Sequence, residues 1–159
     1  AILIGGGLGI APLLFLAQEL KENRVSSFLF YGNRSKEVFC CVDDFENLNT
    51  HNFLATEDGS LGFKGRVTDL FLTKREMLEA DGTMIYACGP NPMLHKVKEI
   101  AEQFKIPCQV SLETMMACGF GVCLGCVVNS TSSADPYKYV CKDGPVFSLA
   151  KLKQMPGEY

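Results

Sequence analysis

The chain has 159 residues, of which 47% are hydrophobic, and its formal net charge at pH 7 is −3. This apolar content is enough for a packed core and excludes a chain that is disordered throughout, and the length allows one domain or one domain with a small appendage. The slightly negative charge gives no electrostatic basis for binding nucleic acid, and no apolar run approaches the roughly 18 residues of a transmembrane helix.

In the first half of the chain, short apolar segments alternate with segments of helical periodicity. Residues 1–4 form an apolar run that is typical of a short buried strand, and glycines follow it at once. A helix with Pro12 in its first turn is predicted, because apolar residues recur at helical spacing as far as Leu20. The next predicted elements are a strand over 25–31, a short helix over 43–48 and a strand over 52–56.

The same alternation continues as far as residue 112. The predicted elements are a helix over 67–79, a strand over 83–88, a helix from Pro90 to Phe104 and a strand over 108–112. Strands that alternate with helices indicate the α/β class, with a five-stranded parallel sheet covered on both faces. Beyond residue 112, short apolar pieces are separated by Ser, Thr, Asp and Pro, so we predict an α/β domain over 1–112 and a small β-rich domain over 113–159.

A glycine-rich turn separates the first predicted strand from the first predicted helix. Its candidate binding residues are Gly5, Gly6, Gly7, Gly9, Ala11 and Pro12. Glycines allow the backbone to approach a pyrophosphate, and the N-terminus of the following helix stabilises its negative charge. The match to the G-x-G-x-x-G dinucleotide pattern is imperfect, because Ile10 stands where the last glycine would be, so a turn that serves packing alone stays open.

A second candidate segment, Cys88, Gly89 and Pro90, follows the fourth predicted strand. In open α/β sheets, ligands bind in the crevice outside the carboxyl ends of the strands. The turn after the first strand and this segment both lie at such ends. Their common position strengthens the prediction of a dinucleotide site.

Four cysteines near the end of the chain stand in the order C-x4-C-x2-C-x14-C. They are Cys118, Cys123, Cys126 and Cys141. The first three have the spacing with which plant-type ferredoxins hold a [2Fe–2S] cluster, and three glycines among them allow a loop that turns its N–H groups toward the sulfur atoms. A structural zinc site usually shows two C-x2-C knuckles, and disulfides need an oxidising compartment; both remain alternatives to the cluster.

The other four cysteines show no metal-ligand spacing. Free buried thiols are the prediction for Cys40, Cys41, Cys88 and Cys108. Eight cysteines without a secretory feature favour a reducing, cytoplasmic location.

Several motifs together resemble the pyridine-nucleotide domain of the ferredoxin–NADP reductase family. They are the Gly-Gly-Gly-x-Gly-x-Ala-Pro turn, the segment from Tyr31 to Ser35, and the segment from Cys88 to Met93. The cysteine segment from Glu113 to Cys123, with the Cys-Lys-Asp-Gly-Pro-Val-Phe sequence that begins at Cys141, resembles the electron-transfer subunits of class 1B dihydroorotate dehydrogenases. The resemblance covers nearly the whole chain.

This resemblance implies an oxidoreductase subunit that passes electrons between a [2Fe–2S] cluster, FAD and NAD. It implies a partner subunit that contains FMN and oxidises dihydroorotate in pyrimidine biosynthesis, in a heterotetramer. It also places Gly5 to Pro12 against the dinucleotide and Gly32 to Ser35, which include Arg34, beside its adenosine half. Cys88 to Pro90 would lie near the nicotinamide. From the residues alone, Arg34 suits a 2′-phosphate, and hence NADP, or equally a contact with the pyrophosphate or an ordinary surface position.

In the family, FAD is bound by an N-terminal β-barrel, and no such segment is recognisable here. Because the chain opens directly on a predicted core strand, we expect it to be a piece of a longer protein and to be inactive alone. Two other functions stay open. One is a reductase subunit of sulfite reductase or hydrogenase type, and the other is a zinc-binding interaction module without catalytic activity.

Overall fold

The computed structural model describes residues 1–78 and 80–156. Its main element is a seven-stranded sheet in the order β4-β3-β2-β1-β5-β6-β9, parallel throughout except for β9, which runs antiparallel to β6. The strands of this sheet are β1 Ile2–Gly6, β2 Phe28–Asn33, β3 His51–Thr56, β4 Phe63–Lys64, β5 Ile85–Cys88, β6 Cys108–Ser111 and β9 Val146–Ser148.

Helices cover both faces of the sheet, as the alternation of apolar residues along the central strand requires. In β1, Ile2 and Ile4 belong to the larger core cluster, which also holds buried residues of α3 and α4. Leu3 belongs to the opposite cluster, under α1 and α2. The helices are α1 Ile10–Glu22, α2 Val42–Asn47, α3 Val67–Leu72, α4 Asn91–Phe104 and α5 Val140–Asp143. None of the helices in 1–78 and 80–156 has the length and apolarity to cross a bilayer.

The α/β class is confirmed, and the five predicted strands form the parallel centre of the sheet. The prediction of five strands was incomplete, because β4 and β9 extend the sheet at its two edges. β4 has two residues and β9 three, which is too short for a strand pattern to stand out from a loop.

Most element boundaries differ from the prediction by one or two residues, and two differ by more. Residue Val25 is not in β2, because α1 continues to Glu22 and closes through Arg24, whose φ of 58° is left-handed. The Val25 N–H then donates to the Leu20 carbonyl, which places Val25 in the helix-closing turn. The helix predicted over 67–79 ends at Leu72 and is followed by a 3₁₀ turn at Arg75–Leu78; Glu79 lies outside the described residues.

The segment that carries the four cysteines forms a second, antiparallel sheet and also joins the first. The small sheet has the order β10-β7-β8, with β7 Val127–Ser130, β8 Tyr137–Tyr139 and β10 Leu152–Gln154. Strand β9 of the same segment pairs with β6, with Val110 opposite Phe147. The division into domains at residue 112 stays a prediction. Strand β9, which follows residue 112, pairs with β6, which precedes it. Residues 157–159 also lie outside the described part.

The turn after β1 and the turn after β5 touch each other at the carboxyl edge of the sheet. A Cβ atom on Gly9 would lie 2.2 Å from the carbonyl oxygen of Cys88 and 2.7 Å from the backbone nitrogen of Gly89. Both atoms belong to backbone that the parallel pairing of β1 with β5 holds in place. Glycine is therefore required at position 9 for the close approach of the two turns, whether or not the turn also binds a ligand.

Replacement of Gly9 by Ala should separate these two turns. We expect the free energy of unfolding to fall by about 2–3 kcal/mol, because a methyl group is forced into rigid backbone. Urea denaturation followed by circular dichroism measures this. The control is Gly125→Ala, whose Cβ would meet the Cys123 sulfur at an ordinary 3.6 Å and should change the free energy by about 0.5 kcal/mol or less. Equal losses in the two variants would contradict the close-packing argument.

Candidate functional site

The glycine turn lies where the sequence places it, between β1 and α1. Gly5 and Gly6 end β1, and Gly7–Gly9 form one 3₁₀ turn. Gly7 has a φ of 56° and no heavy atom within 4 Å of where a Cβ would stand, so its backbone is open to a ligand. The hydroxyl of Tyr31, from β2, donates to the Gly7 carbonyl at 3.2 Å and fixes the turn from below.

A cleft of about 770 Å³ opens on one side of this turn. Five of the candidate residues line it: Gly6, Gly7, Gly32, Arg34 and Pro90. Four side chains of basic type also line it: Arg34, Arg66, His95 and Lys96. The same wall carries three acidic side chains: Glu57, Asp69 and Glu99. Glycine backbone beside several cationic groups can hold the phosphates of a nucleotide.

A second cleft of about 560 Å³ lies on the other side of the turn. It shares Gly6, Gly7 and Pro90 with the first and adds Gly9 and Gly89. Its remaining lining residues are Leu8, Asn91, Glu113, Thr114 and Met115. Two clefts that meet over one glycine turn provide the extended surface that a dinucleotide needs.

Four of the candidate residues do not line either cleft. Gly5 and Cys88 lie within the sheet, and Cys88 is only 2% exposed. Burial is the main cause that raises the pKa of the Cys88 thiol, with a smaller contribution in the same direction from the nearby Glu113 carboxylate; a hydrogen bond with Ser111 opposes both. Ala11 and Pro12 are exposed in the first turn of α1 but line neither cleft.

The lining residues that sequence reasoning missed come from distant segments. Arg66 directly precedes α3, His95 and Lys96 lie on α4, and Glu113 follows β6. No local motif marks them. The rule that ligands bind beyond the carboxyl ends of parallel strands could have found Glu57 and Glu113, since they come one residue after β3 and two residues after β6.

The four motif cysteines are arranged as two pairs. The Sγ atoms of Cys126 and Cys141 lie 3.3 Å apart and are hydrogen-bonded. In the other pair, the backbone N–H of Cys123 donates to the Sγ of Cys118 at 3.4 Å, and the N–H of Val122 does the same at 3.4 Å. All eight cysteines are free thiols.

Backbone N–H groups around these sulfur atoms favour the anionic form that a metal requires. N–H donors from Cys123, Phe120 and Val122 lower the pKa of Cys118 to about 6. The N–H of Cys141 donates to the Sγ of Cys126 at 3.5 Å and is the main cause that lowers the pKa of Cys126. The hydrogen bond with Cys126 is the main cause that raises the pKa of Cys141.

The paired thiols are the type and number of ligands that a two-iron cluster requires. Within residues 1–78 and 80–156, no group of three or more His, Cys, Asp or Glu side chains is placed to hold one metal ion. A [2Fe–2S] cluster takes four thiolates, two on each iron, and so needs two pairs rather than one tetrahedral set. The N–H groups directed at Cys118 and Cys126 are the outer contacts that such clusters use.

The other cysteines depart in part from the prediction of buried thiols. Cys88 and Cys108 are buried, and burial raises the pKa of Cys108 to about 12. Cys41 is half-buried, and Cys40 is exposed, with its Sγ 3.5 Å from the Tyr31 hydroxyl. The prediction was wrong for Cys40, which is exposed in the loop before α2 although its neighbours Phe39 and Cys41 are half-buried.

Comparison with known proteins assigns both parts of the chain. The family model described as the oxidoreductase NAD-binding domain matches residues 3–99, and the model for the iron–sulfur cluster binding domain of dihydroorotate dehydrogenase B matches residues 113–153.

Among curated relatives, the dihydroorotate dehydrogenase B (NAD⁺) electron transfer subunit of Caldanaerobacter subterraneus subsp. tengcongensis is 42% identical, over 92% of this chain and 56% of its own length. A probable subunit of the same name from Methanocaldococcus jannaschii is 39% identical, over 94% and 55%.

The solved structure of an NADH-dependent reduced ferredoxin–NADP oxidoreductase, studied for flavin-based electron bifurcation, is 33% identical to this chain. It superposes with a TM-score of 0.81, over 96% of this chain and 53% of its own. The chain thus spans about half the length of the curated relatives that it matches. It belongs to the oxidoreductase NAD-binding domain family, and its residues 113–153 match the model for the iron–sulfur cluster binding domain of dihydroorotate dehydrogenase B.

Proposed function

We propose that this chain passes electrons between a [2Fe–2S] cluster, FAD and NAD, as part of the electron transfer subunit of a dihydroorotate dehydrogenase B. The observation that carries the proposal is that the nucleotide cleft and the cysteine pairs are adjacent in the chain. Met115, which lines the second cleft, is three residues from Cys118 of the first cysteine pair. A nucleotide cleft and a set of paired thiols therefore adjoin along one stretch of chain.

NAD would lie across the two clefts, over the glycine turn. The first cleft has the basic side chains and the glycine backbone that suit the adenosine and phosphate half, with Gly32 and Arg34 at the end of β2. The second would take the nicotinamide, beside Gly89 and Pro90. The open backbone at Gly7 lies between them and would face the pyrophosphate.

Cys118 and Cys123 would ligate one iron, and Cys126 with Cys141 the other. The short sulfur contact in the second pair and the N–H donors to Cys118 support this division. The bound cluster would supply one-electron transfer. The chain's own contribution is to stabilise thiolates through backbone N–H groups and to keep Cys126 buried, with 3% exposure.

FAD is required between the two sites, because NAD gains or loses two electrons as hydride and the cluster exchanges one at a time. FAD would be bound mainly by residues outside this chain, which spans about half of its curated relatives. Leu8 and Met115 border the second cleft with 84% and 92% of their surfaces exposed. Their apolar surfaces are available to the ring system of a flavin or to its binding domain.

The partner would be an FMN-containing catalytic subunit that oxidises dihydroorotate, in a heterotetramer in the cytoplasm, as a step of pyrimidine biosynthesis. The cysteine loop and the residues just before it carry exposed apolar side chains: Met116, Phe120, Val122 and Leu124. Apolar residues grouped at the surface are typical of a protein contact. An electron donor that docks over this loop would cover them.

A second candidate function has its own support. The similarity to the NADH-dependent reduced ferredoxin–NADP oxidoreductase extends over 96% of this chain at 33% identity. A subunit of that kind of complex would use the same cleft and the same thiols but would exchange electrons with a different partner. The two candidates differ in the donor and not in the chemistry of this chain.

The cluster proposal predicts the metal content. Protein purified without oxygen should contain about two irons and two sulfides per chain, because four thiolates are available in two pairs. Cys123→Ser should lower the iron content to less than half, whereas Cys40→Ser, which also removes an exposed thiol, should leave it unchanged. Iron, sulfide and zinc assays with visible absorption measure this. One zinc per chain in place of iron would overturn the proposal.

The electron path predicts a dependence on flavin. NADH should not bleach the cluster in the 159-residue chain without flavin, since a hydride cannot pass directly to a one-electron acceptor. A protein with the full length of the relatives should show yellow flavin absorbance and be bleached by NADH. Rapid bleaching of the flavin-free chain would contradict the assignment.

The partner is tested on the same full-length protein. Co-purification with an FMN-containing dihydroorotate dehydrogenase, and bleaching of the cluster by dihydroorotate in that complex, are expected from the first candidate. Bleaching by reduced ferredoxin and no response to dihydroorotate would favour the second.

A further inference from the structure

We propose that Cys40 and Cys41 form a disulfide in response to hydrogen peroxide, and that this oxidation weakens nucleotide binding at the glycine turn through Tyr31. The two thiols are a redox-sensitive modification site outside the four motif cysteines and outside the lining of both clefts. The inference rests on the proposed function in one respect, since the effect on affinity assumes that NAD lies over the glycine turn.

A series of hydrogen bonds connects the two thiols with the glycine turn. The Tyr31 hydroxyl donates to the Gly7 carbonyl at 3.2 Å, and its oxygen lies 3.5 Å from the Sγ of Cys40, which leaves the Cys40 thiol as the donor in that contact. The Cys41 thiol is hydrogen-bonded with Cys40. The two sulfur atoms are therefore close enough to react with each other, and Cys40 contacts the hydroxyl that holds the turn.

The two thiols have different surroundings. Cys40 is exposed and can meet a solute, whereas Cys41 is half-buried. Burial is the main cause that raises the pKa of Cys41, and the charge and hydrogen bond of Cys40 and the charge of Asp44 act in the same direction. Because a peroxide is attacked by an accessible thiolate, Cys40 reacts first, and Cys41 is placed to react with its product.

The oxidation needs only the two thiols and the peroxide. The Cys40 thiolate attacks one oxygen atom, the O–O bond breaks to leave a sulfenic acid, and the departing hydroxide takes up the proton that Cys40 lost. The Cys41 sulfur then attacks the Cys40 sulfur, the S–O bond breaks, and the second hydroxide takes the Cys41 proton. Two thiols thus lose two electrons and two protons, and one peroxide becomes two waters. Reduced flavins produce peroxide when they meet oxygen, so an electron-transfer subunit is exposed to this oxidant.

Formation of the disulfide must change the backbone before Cys41. The Cα atoms of adjacent residues are closer together than in most disulfides, so the ring is strained and is readily reduced again. The Cys41 carbonyl accepts from the Phe45 N–H at 3.3 Å, which holds Cys41 on the first turn of α2. Most of the movement therefore falls on Cys40 and on Phe39, which precedes it.

Phe39 and Cys40 both contact Tyr31. The Phe39 ring packs edge-on against the Tyr31 ring, with the centroids 4.7 Å apart, and Val38 directly before it lines the first cleft. Movement of this segment removes the thiol donor and the packing that position the Tyr31 hydroxyl under Gly7. We expect nucleotide affinity to fall about fivefold, which is the equivalent of one hydrogen bond of about 1 kcal/mol.

The test is oxidation of the cluster-loaded chain with a small excess of hydrogen peroxide, followed by tryptic mass spectrometry and by calorimetric titration with NAD⁺ and ADP-ribose. Trypsin releases residues 37–64 as one peptide, in which Cys40 and Cys41 are the only cysteines. After oxidation this peptide should resist alkylation and be lighter by two hydrogen atoms. Both affinities should fall about fivefold and return after treatment with dithiothreitol.

Two variants separate the steps. Cys41→Ser cannot form the disulfide, so its affinities should change less than about twofold on oxidation. Tyr31→Phe keeps the ring and removes the hydroxyl, so the disulfide should form while the affinities again change less than about twofold. Damage to the cluster by peroxide would affect all three proteins equally, and the visible absorption of each protein measures it.

The outcomes separate the two proposals. If the 37–64 peptide is still alkylated at both cysteines after oxidation, or if the disulfide forms and the affinities stay the same, the redox control is overturned and the nucleotide site survives. An equal fall in affinity in Cys41→Ser also overturns it. If the reduced chain binds neither NAD⁺ nor ADP-ribose, the nucleotide site itself is overturned, and its redox control with it. A reversible loss of affinity that requires both Cys41 and the Tyr31 hydroxyl supports the proposal.

Discussion

The arrangement of the site depends on the contact between Gly9 and the carbonyl of Cys88. The parallel pairing of β1 with β5 brings the ends of these strands side by side, and the absence of a side chain at position 9 lets the two turns meet. Their contact forms a common floor from which one cleft opens on each side. A bulkier turn would separate the clefts, and no ligand could then lie across both.

The two parts of the site stabilise negative charge by different means. The nucleotide cleft combines glycine backbone with basic side chains, which suits phosphates that remain near solvent. The cysteine loop uses backbone N–H groups directed at sulfur, and no basic side chain is among the causes that lower the pKa of Cys118. Neutral donors stabilise thiolates without adding a fixed positive charge near the iron atoms.

Much of the fold could be predicted from the sequence, because the central strands are buried on both faces. Segments such as residues 1–4 are then apolar throughout, and glycine or proline residues mark their ends. Local conformation is harder to predict: the left-handed turn at Arg24 moved the start of β2, and nothing in the residue type requires it. Strand β9 forms by pairing with β6, which is distant in the sequence.

The same distinction between local patterns and long-range contacts applies to the candidate site. The glycine turn and the four cysteines are local motifs, so their residue types and spacing were enough to propose them as candidates. The approach of Arg66 and Lys96 to Gly7 depends on the crossover connections of the sheet, and the pairing of Cys126 with Cys141 depends on the β7–β8 hairpin. These contacts join residues that are far apart in sequence and have no individual signature. Conversely, membership of a motif does not ensure a place in the lining of a cleft: Gly5 and Cys88 both belong to motifs but are buried beneath the clefts.

The pairing of β6 with β9 has a consequence for how the thiols meet a metal. Ser111 lies opposite Val146, so the cysteine segment leaves the sheet and returns to it at almost the same point. Most of the entropy of closing this loop is lost when the sheet forms, whether or not iron is present. The four sulfur atoms are thus confined to a small volume at a high effective concentration. Cluster assembly then requires a rearrangement within a tethered loop and not the folding of a free chain.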